Sequence, residues 1–445
     1  MKGAEMDIKI LEDLISFKSI SSDVAYSQEV KDIKSYLIKL LKKYEFKVKT
    51  LGVNNSIIYA KRFTKASNKT LLIYGHYDVV GIEGQKWDSD PFTLTTIKNK
   101  IIARGISDNK GQLYINLMAV LDLLQTKNIK NLNIIFLVEG EEEVSGPALK
   151  AVLKNGLDEK IDYVLISDSL MISKNLPTII SSLRGNISFE IQLTTAKQEE
   201  HSGLYGGALP NAANLALELH NRAFNNDFLN SLMKGSKPHK DLVKSSIEAD
   251  QINFNKTLKS LNVQSYCPKN ASVLTTLTPS LELTEVSTGV ISNKVRNVIP
   301  HKCSLKYNYR FPYTINGNTT WTKIQKQIEK YVDSKKCTVD ISLHNLSEAV
   351  YVSPDNDLIK IASTIAEKVY RHKPLIKAEG GSIAIVNLIK ENVTPNILLF
   401  GFADLDSNMH GPNENMRLEN ITKGIEFTTQ LVKKLDEEGI PLRKK

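Results

Sequence analysis

Long apolar runs are missing from this 445-residue chain: no stretch approaches eighteen uncharged apolar residues, so no segment reads as a membrane-spanning helix. Cysteine is scarce too. Cys267, Cys303 and Cys337 are odd in number and widely separated, which argues against a disulfide scaffold and gives no pair of thiolates at zinc-finger spacing. Any metal must therefore be held by His, Asp and Glu. The opening Met-Lys-Gly-Ala-Glu-Met-Asp-Ile brings acids at once and lacks the apolar core of a secretory signal, so a soluble, cytoplasmic protein is expected. Dense basic blocks are absent as well. The net charge of +9 comes from lysines scattered through helical and loop segments without interleaved aromatics, which reads as a solvated surface and not as a nucleic-acid site.

What is present describes a folded enzyme-sized chain. At 41% hydrophobic and 24% charged residues it is globular, and its length exceeds one ordinary core, so two domains are expected. Apolar residues at helical spacing (Ile10, Leu11, Leu14, Ile15, then Tyr36, Leu37, Leu40, Leu41) predict two amphipathic helices before residue 45. Short apolar runs at 56–60, 70–74, 133–138, 162–166 and 396–400 read as buried strands. From about residue 184 the texture changes to alternating strands, as in 186–193 and 304–310, with helical patterns at 212–222 and 320–332. The fold class is α/β: a catalytic domain of 1–183 and 349–445, with a mixed, mostly parallel sheet flanked by helices, plus an inserted α+β domain of 184–348.

Candidate chemistry follows the apolar runs, where ligands gather at the carboxyl ends of strands. His76 and Asp78 come after the second run and face the same way on an extended segment, so Asp78 can orient the imidazole from behind. Glu139-Gly140-Glu141-Glu142-Glu143 puts four carboxylates within five residues after the third run, where their repulsion needs cations or protons to offset it. Asp168 follows the fourth, and His410 lies in the loop after the last. Asp108, ahead of the apolar helical run 113–124, is a ligand candidate or an ordinary helix cap. A bridged pair of divalent ions needs about five or six such side chains, and this set supplies them.

The segments Gly-His-Tyr-Asp, Ser-Asp-Asn-Lys-Gly, Glu-Gly-Glu-Glu-Glu, Ser-Asp-Ser, His-Ser-Gly-Leu-Tyr-Gly-Gly, Glu-Gly-Gly-Ser-Ile and His-Gly-Pro-Asn-Glu occur in one order over about 70–420. In that order they resemble the co-catalytic dinuclear metallopeptidase superfamily of carnosine dipeptidases, aminoacylases, acetylornithine deacetylase and succinyl-diaminopimelate desuccinylase, with the motifs nearest the carnosinase type. The resemblance implies that His76, Asp108 and Asp168 hold one ion and Asp108, Glu143 and His410 the other, with a cis peptide after the bridging Asp108. It makes Glu142 the general base toward a water activated by both metals, His201 the oxyanion donor reaching across a homodimer, and Arg310 with Gly381 and Ser382 the grip on the substrate's carboxylate. An aspartate at 168 resembles dipeptidases and desuccinylases more than aminoacylases. Glu379, just before the glycines, is a candidate acceptor for a free α-ammonium group. The expected activity is hydrolysis of dipeptides or short peptides with two divalent ions per subunit, zinc by default and manganese or cobalt as alternatives. The alternative is an N-acyl amino acid amidohydrolase of the deacetylase or desuccinylase type. Partners are a small substrate and a second copy through the inserted domain, with no nucleic acid and no membrane.

Overall fold

The structure, a computed structural model, describes residues 7–64, 69–234, 237–249, 270–289 and 295–437. The chain forms two compact units, one of Met1–Ser181, Val352–Lys377 and Leu388–Lys445, the other of Ser182–Tyr351 and Ala378–Asn387.

In the first unit the amphipathic helices Ile8–Ser16 and Ser27–Lys43 precede a twisted sheet. Seven of its nine described strands run Lys47–Leu51, Ile57–Arg62, Asn133–Glu139, Thr70–His76, Tyr163–Ile166, Ile397–Phe400 and Thr178–Leu183 in spatial order. Among these seven, parallel pairing is confined to the four central strands, from Asn133–Glu139 to Ile397–Phe400, and the flanking pairs are antiparallel. Asn133–Glu139 and Thr70–His76 are buried at every position, which is why their sequences are continuous apolar runs without alternation. The helix Lys110–Gln125 connects these two strands; it is buried on nearly every face and packs against Leu418–Glu437. Among the described residues no helix is long and apolar enough to cross a membrane.

The second unit holds an antiparallel sheet in the order Ser280–Ser287, Lys302–Phe311, Gly185–Thr194, Thr338–Ser347. Burial alternates strictly along Lys302–Phe311, so one face carries Cys303, Leu305, Tyr307, Tyr309 and Phe311 into a core shared with the helices Ala212–Ala223 and Gly317–Tyr331. Phe189 and Tyr307 stack there at 4.9 Å. Asn211 and Asn316 cap the two helices through their side chains, fixing where each starts. A second cluster joins Leu242, on a helix over 240–249, to Leu277 and Ala378. Cys303 and Cys337 are buried free thiols, while Cys267 lies outside the described residues.

Candidate metal centre

Three adjacent parallel strands end side by side and deliver their following residues to one place. His76 closes Thr70–His76, Glu142 and Glu143 form a short turn just past Asn133–Glu139, and Asp168 lies two residues beyond Tyr163–Ile166. Asp108 precedes the helix Lys110–Gln125 and does not cap it: the cap position is Asn109, and the Asp108–Asn109 peptide is cis. His410 comes from the loop before Asn415–Arg417, with its backbone in the left-handed region at φ 59°.

Asp108 stands between the two imidazoles. Its Oδ1 is 2.9 Å from His76 Nε2 and its Oδ2 is 2.9 Å from His410 Nε2. Asp168 Oδ1 is 3.9 Å from His76 Nε2, and Glu143 Oε2 is 3.4 Å from His410 Nε2. The donors fall into three overlapping sets, His76 with Asp108 and Asp168, His76 with Glu142 and Glu143, and Asp108 with Glu143 and His410, each with ligand atoms within 4.8 Å of one another. Imidazole and carboxylate donors at this spacing fit divalent cations, and Glu143 Oε1 is buried without a hydrogen-bond partner among the described residues.

The titrations follow from crowding. Burial pushes Asp168 well above the usual carboxylate range, with Asp108 adding repulsion, and burial raises Glu142 in the same way against the pull of His76. Burial works against the charge on His76, but the Asp108 and Asp78 carboxylates outweigh it and hold the imidazole pKa well above its ordinary value. Hydrogen bonds with Asp108 and Glu143 lift His410 to about 10. Asp108 is held below the usual range by the two histidines despite its burial.

Asp78 does more than face the histidine. His76 Nδ1 meets the backbone oxygen of Asp78 at 3.1 Å and its Oδ1 at 3.4 Å, while the carboxylate accepts from Ser21 Oγ at 2.7 Å and from the backbone N–H groups of Glu142 and Glu143 at 3.3 and 3.1 Å. It therefore fixes the turn that carries both glutamates. Gly140 lets that turn pass Tyr77, since a Cβ there would lie 2.2 Å from the ring.

Four positioning residues escaped the sequence reading. Glu414 is fully buried and accepts from Arg104 Nη1 (2.7 Å), Gly105 N (2.9 Å), Ser107 N (2.8 Å) and Asp108 N (3.0 Å). Asn109 Nδ2 donates to Ser167 O and to Asp168 Oδ1 at 2.7 and 3.2 Å. Ser21 and Arg104 complete the set. Glu414 and Asn109 carried a signal, as members of His-Gly-Pro-Asn-Glu and Ser-Asp-Asn-Lys-Gly, but the motifs gave no reason for a carboxylate or an amide there.

The remaining candidates belong to the second unit. Arg310, near the end of Lys302–Phe311, donates from Nε to Asn308 Oδ1 and from Nη1 to Ser382 Oγ at 2.9 and 2.6 Å. Gly381 O accepts from Arg184 N at 3.2 Å, and Arg184 Nε donates to Gly380 O at 2.9 Å. Burial and the neighbouring Arg310 lower Arg184 to about 10. Glu379 accepts from Gly380 N through Oε1 at 2.9 Å. His201 is exposed, and its Nδ1 accepts from Gly203 N at 3.0 Å. Arg310, Gly381 and Ser382 thus share one neighbourhood of this unit, whereas the side-chain hydrogen bond of His201 among the described residues is the local one from Gly203 N.

Comparison with known proteins agrees with this arrangement of strands and loops. The model for peptidase family M20/M25/M40 matches residues 72–434. A probable di- and tripeptidase of Saccharomyces cerevisiae is 26% identical over 454 residues, covering 96% of this chain and 50% of that protein. A Cys-Gly metallodipeptidase of Schizosaccharomyces pombe is 24% identical over 451 residues, covering 96% of this chain and 94% of that protein. The chain thus spans half the length of the first relative and nearly all of the second. Among solved structures, an M20 family metallo-carboxypeptidase from Sulfolobus solfataricus superposes with a TM-score of 0.83 at 23% identity, over 96% of this chain and 98% of that one, a likeness of fold.

Proposed function

Because this chain belongs to peptidase family M20/M25/M40, we propose that it is a metal-dependent hydrolase that cleaves the amide bond of dipeptides or short peptides. The observation that carries the reading is the Asp108 carboxylate, with one oxygen at 2.9 Å from each of two imidazoles that are themselves lined by further carboxylates. His76, Asp108 and Asp168 would hold one divalent ion, and Asp108, Glu143 and His410 the other, zinc being the first choice and manganese or cobalt the alternatives. When bound, such ions lower the proton affinity of water and polarise a carbonyl.

The chain's own residues supply the rest. Glu142 takes a proton from the attacking water and returns it to the leaving amine, a task suited to a carboxyl raised by burial. Arg310, braced by Asn308 and Ser382, grips the substrate's free carboxylate with a planar fork, and Gly381 offers backbone beside it. His201 stabilises the oxyanion from the partner subunit of a homodimer, with the inserted segment serving as lid and dimer contact. A cytoplasmic setting suits a chain with buried, unpaired thiols.

The deciding experiment is elemental analysis of the purified protein, followed by chelation and restoration of each ion while dipeptides and N-acetyl or N-succinyl amino acids are assayed in parallel. Metal-dependent release of amino acids from dipeptides is expected. Turnover of the acyl amino acids alone would move the assignment to an amidohydrolase, and activity indifferent to chelation would remove it.

A further inference from the structure

The two imidazoles that face Asp108 are secured by different means. The His76 side chain is fully buried at a strand end, whereas that of His410 is 56% exposed. His410 also sits at a positive φ of 59°, a region that a non-glycine residue holds only when its surroundings impose it. Packing alone cannot fix such a residue, so its polar contacts must, and beyond those of its ring with Asp108 and Glu143 they include a bond to its backbone.

Those bonds come from another loop. Gln85 Nε2 donates to His410 O at 2.9 Å. Its Oε1 in turn accepts from Arg104 Nη2 at 2.7 Å and from Trp87 Nε1 at 3.1 Å, so the amide cannot rotate without losing both donors. Arg104 lies over the Trp87 ring at 5.0 Å, reaches His410 O weakly at 3.4 Å, and pairs through Nη1 with Glu414. One chain of polar contacts thus runs from the Glu414 carboxylate, which holds Asp108 N, to the carbonyl of His410. A second tie, between Asp88 and Asn413 in both directions at 2.9 Å, keeps the two loops together, and Gly411 N donates to Asn408 O at 2.9 Å on the far side of the same peptide, but the short bond to His410 O across the loops is the one from Gln85.

We propose that Gln85 is a positioning residue for His410 and that it sets the affinity of the ion held by Asp108, Glu143 and His410, independently of the ion held by His76, Asp108 and Asp168. The inference rests on the two-ion reading above. Losing a group that orients a ligand weakens metal affinity by about 10- to 100-fold. Removing the Gln85 donor loosens only one of the two imidazoles, so the loss is asymmetric.

The test titrates metal-free protein with zinc and reads both stepwise affinities by competition with a chromophoric chelator. The parent should take up two ions. Gln85→Met should keep the first affinity and weaken the second about tenfold or more, and because it also takes the acceptor from Arg104 Nη2 and Trp87 Nε1 it should lower the melting temperature of the metal-free protein somewhat, a loss that Gln85→Glu avoids. Gln85→Glu, which keeps an acceptor for Arg104 and Trp87 but loses the N–H, should also bind the second ion less tightly despite its added negative charge. Equal weakening of both ions, or no change in either, in a protein whose parent binds two would overturn the inference alone. A parent that binds a single ion would overturn the two-ion reading and this inference with it.

Discussion

Replacing Glu414 by alanine should destabilise the metal-free protein more than any exposed substitution, and the structure gives the size of the effect. The carboxylate is fully buried and receives four donors, one of them the guanidinium of Arg104, itself 1% exposed. Burial holds Glu414 above its ordinary carboxylate range even with Arg104 beside it, so the pair is expensive to bury. It is more expensive to break. Removing one partner leaves a buried charge without a counterion, which costs about 3–5 kcal/mol, and three backbone N–H groups lose their acceptor. A loss of about 4 kcal/mol corresponds to a melting temperature lower by about 10 °C in a unit of this size. Glu414→Gln, which keeps the shape but turns an N–H group toward other donors, should lose about half as much. Adding Arg104→Met to Glu414→Gln should recover part of the loss, because no guanidinium is then stranded. Thermal unfolding by circular dichroism in the presence of a chelator measures all three. If Glu414→Ala melts within about 2 °C of the parent, the polar hub carries little energy and the reasoning fails.

Three further outcomes follow from the proposed function. Glu142→Ala should abolish turnover while leaving metal content unchanged, since the five proposed ligands remain; a variant that is fully active would refute its role as base. Loading the metal-free protein near pH 7 should release protons, because the imidazole of His410, raised to about 10, and that of His76, raised well above its ordinary value, are protonated there and a ligand must be neutral. The sign is fixed: support from these raised groups is full below the unfolded value of about 6.5 and fades as pH climbs through the folded value, so metal affinity should rise with pH over this range. Calorimetry in buffers of different ionisation heats reads the proton count, and an affinity independent of pH between 6 and 9 would contradict the assignment. Finally, mixing His201→Ala with Glu142→Ala subunits should restore about a quarter of parental activity, because one site of each mixed dimer regains both groups. No recovery would mean that His201 acts within its own subunit or not at all.

The strands that could be read in the sequence are those buried on both faces, such as Asn133–Glu139, where nothing interrupts the apolar run, and those that alternate cleanly, such as Lys302–Phe311. Lys47–Leu51 escaped because it is half-exposed, with lysines at 47 and 49 between short apolar side chains. Thr178–Leu183 is buried throughout yet carries Thr178, Ser181 and Ser182, so its hydrophobicity falls below that of its neighbours. The same distinction governs the site. Histidines and carboxylates directly after apolar runs stand out, because a charge at the end of a buried strand needs a reason. Residues that act on a peptide group leave no such mark: Glu414 meets Arg104 across 310 positions and Gln85 meets His410 across 325, and no local pattern encodes either separation.

Asp78 and Glu414 play matching parts at the donor cluster. Asp78 binds the backbone N–H groups of Glu142 and Glu143, and Glu414 binds those of Gly105, Ser107 and Asp108. Neither appears in the donor sets, yet each is a buried acid that adds negative charge where Asp108, Asp168, Glu142 and Glu143 already crowd together. Backbone amides are neutral and cannot cancel that charge. They fix geometry, and the electrostatic cost is left for the Arg104 guanidinium at Glu414 and for protons on His76 and His410 to offset in the metal-free protein. A divalent cation does the same work with more charge in less space, and it needs no rearrangement of segments that are already held. The arrangement therefore trades stability of the empty site for a donor set ordered in advance, which is how the repulsion among these acids becomes affinity for metal.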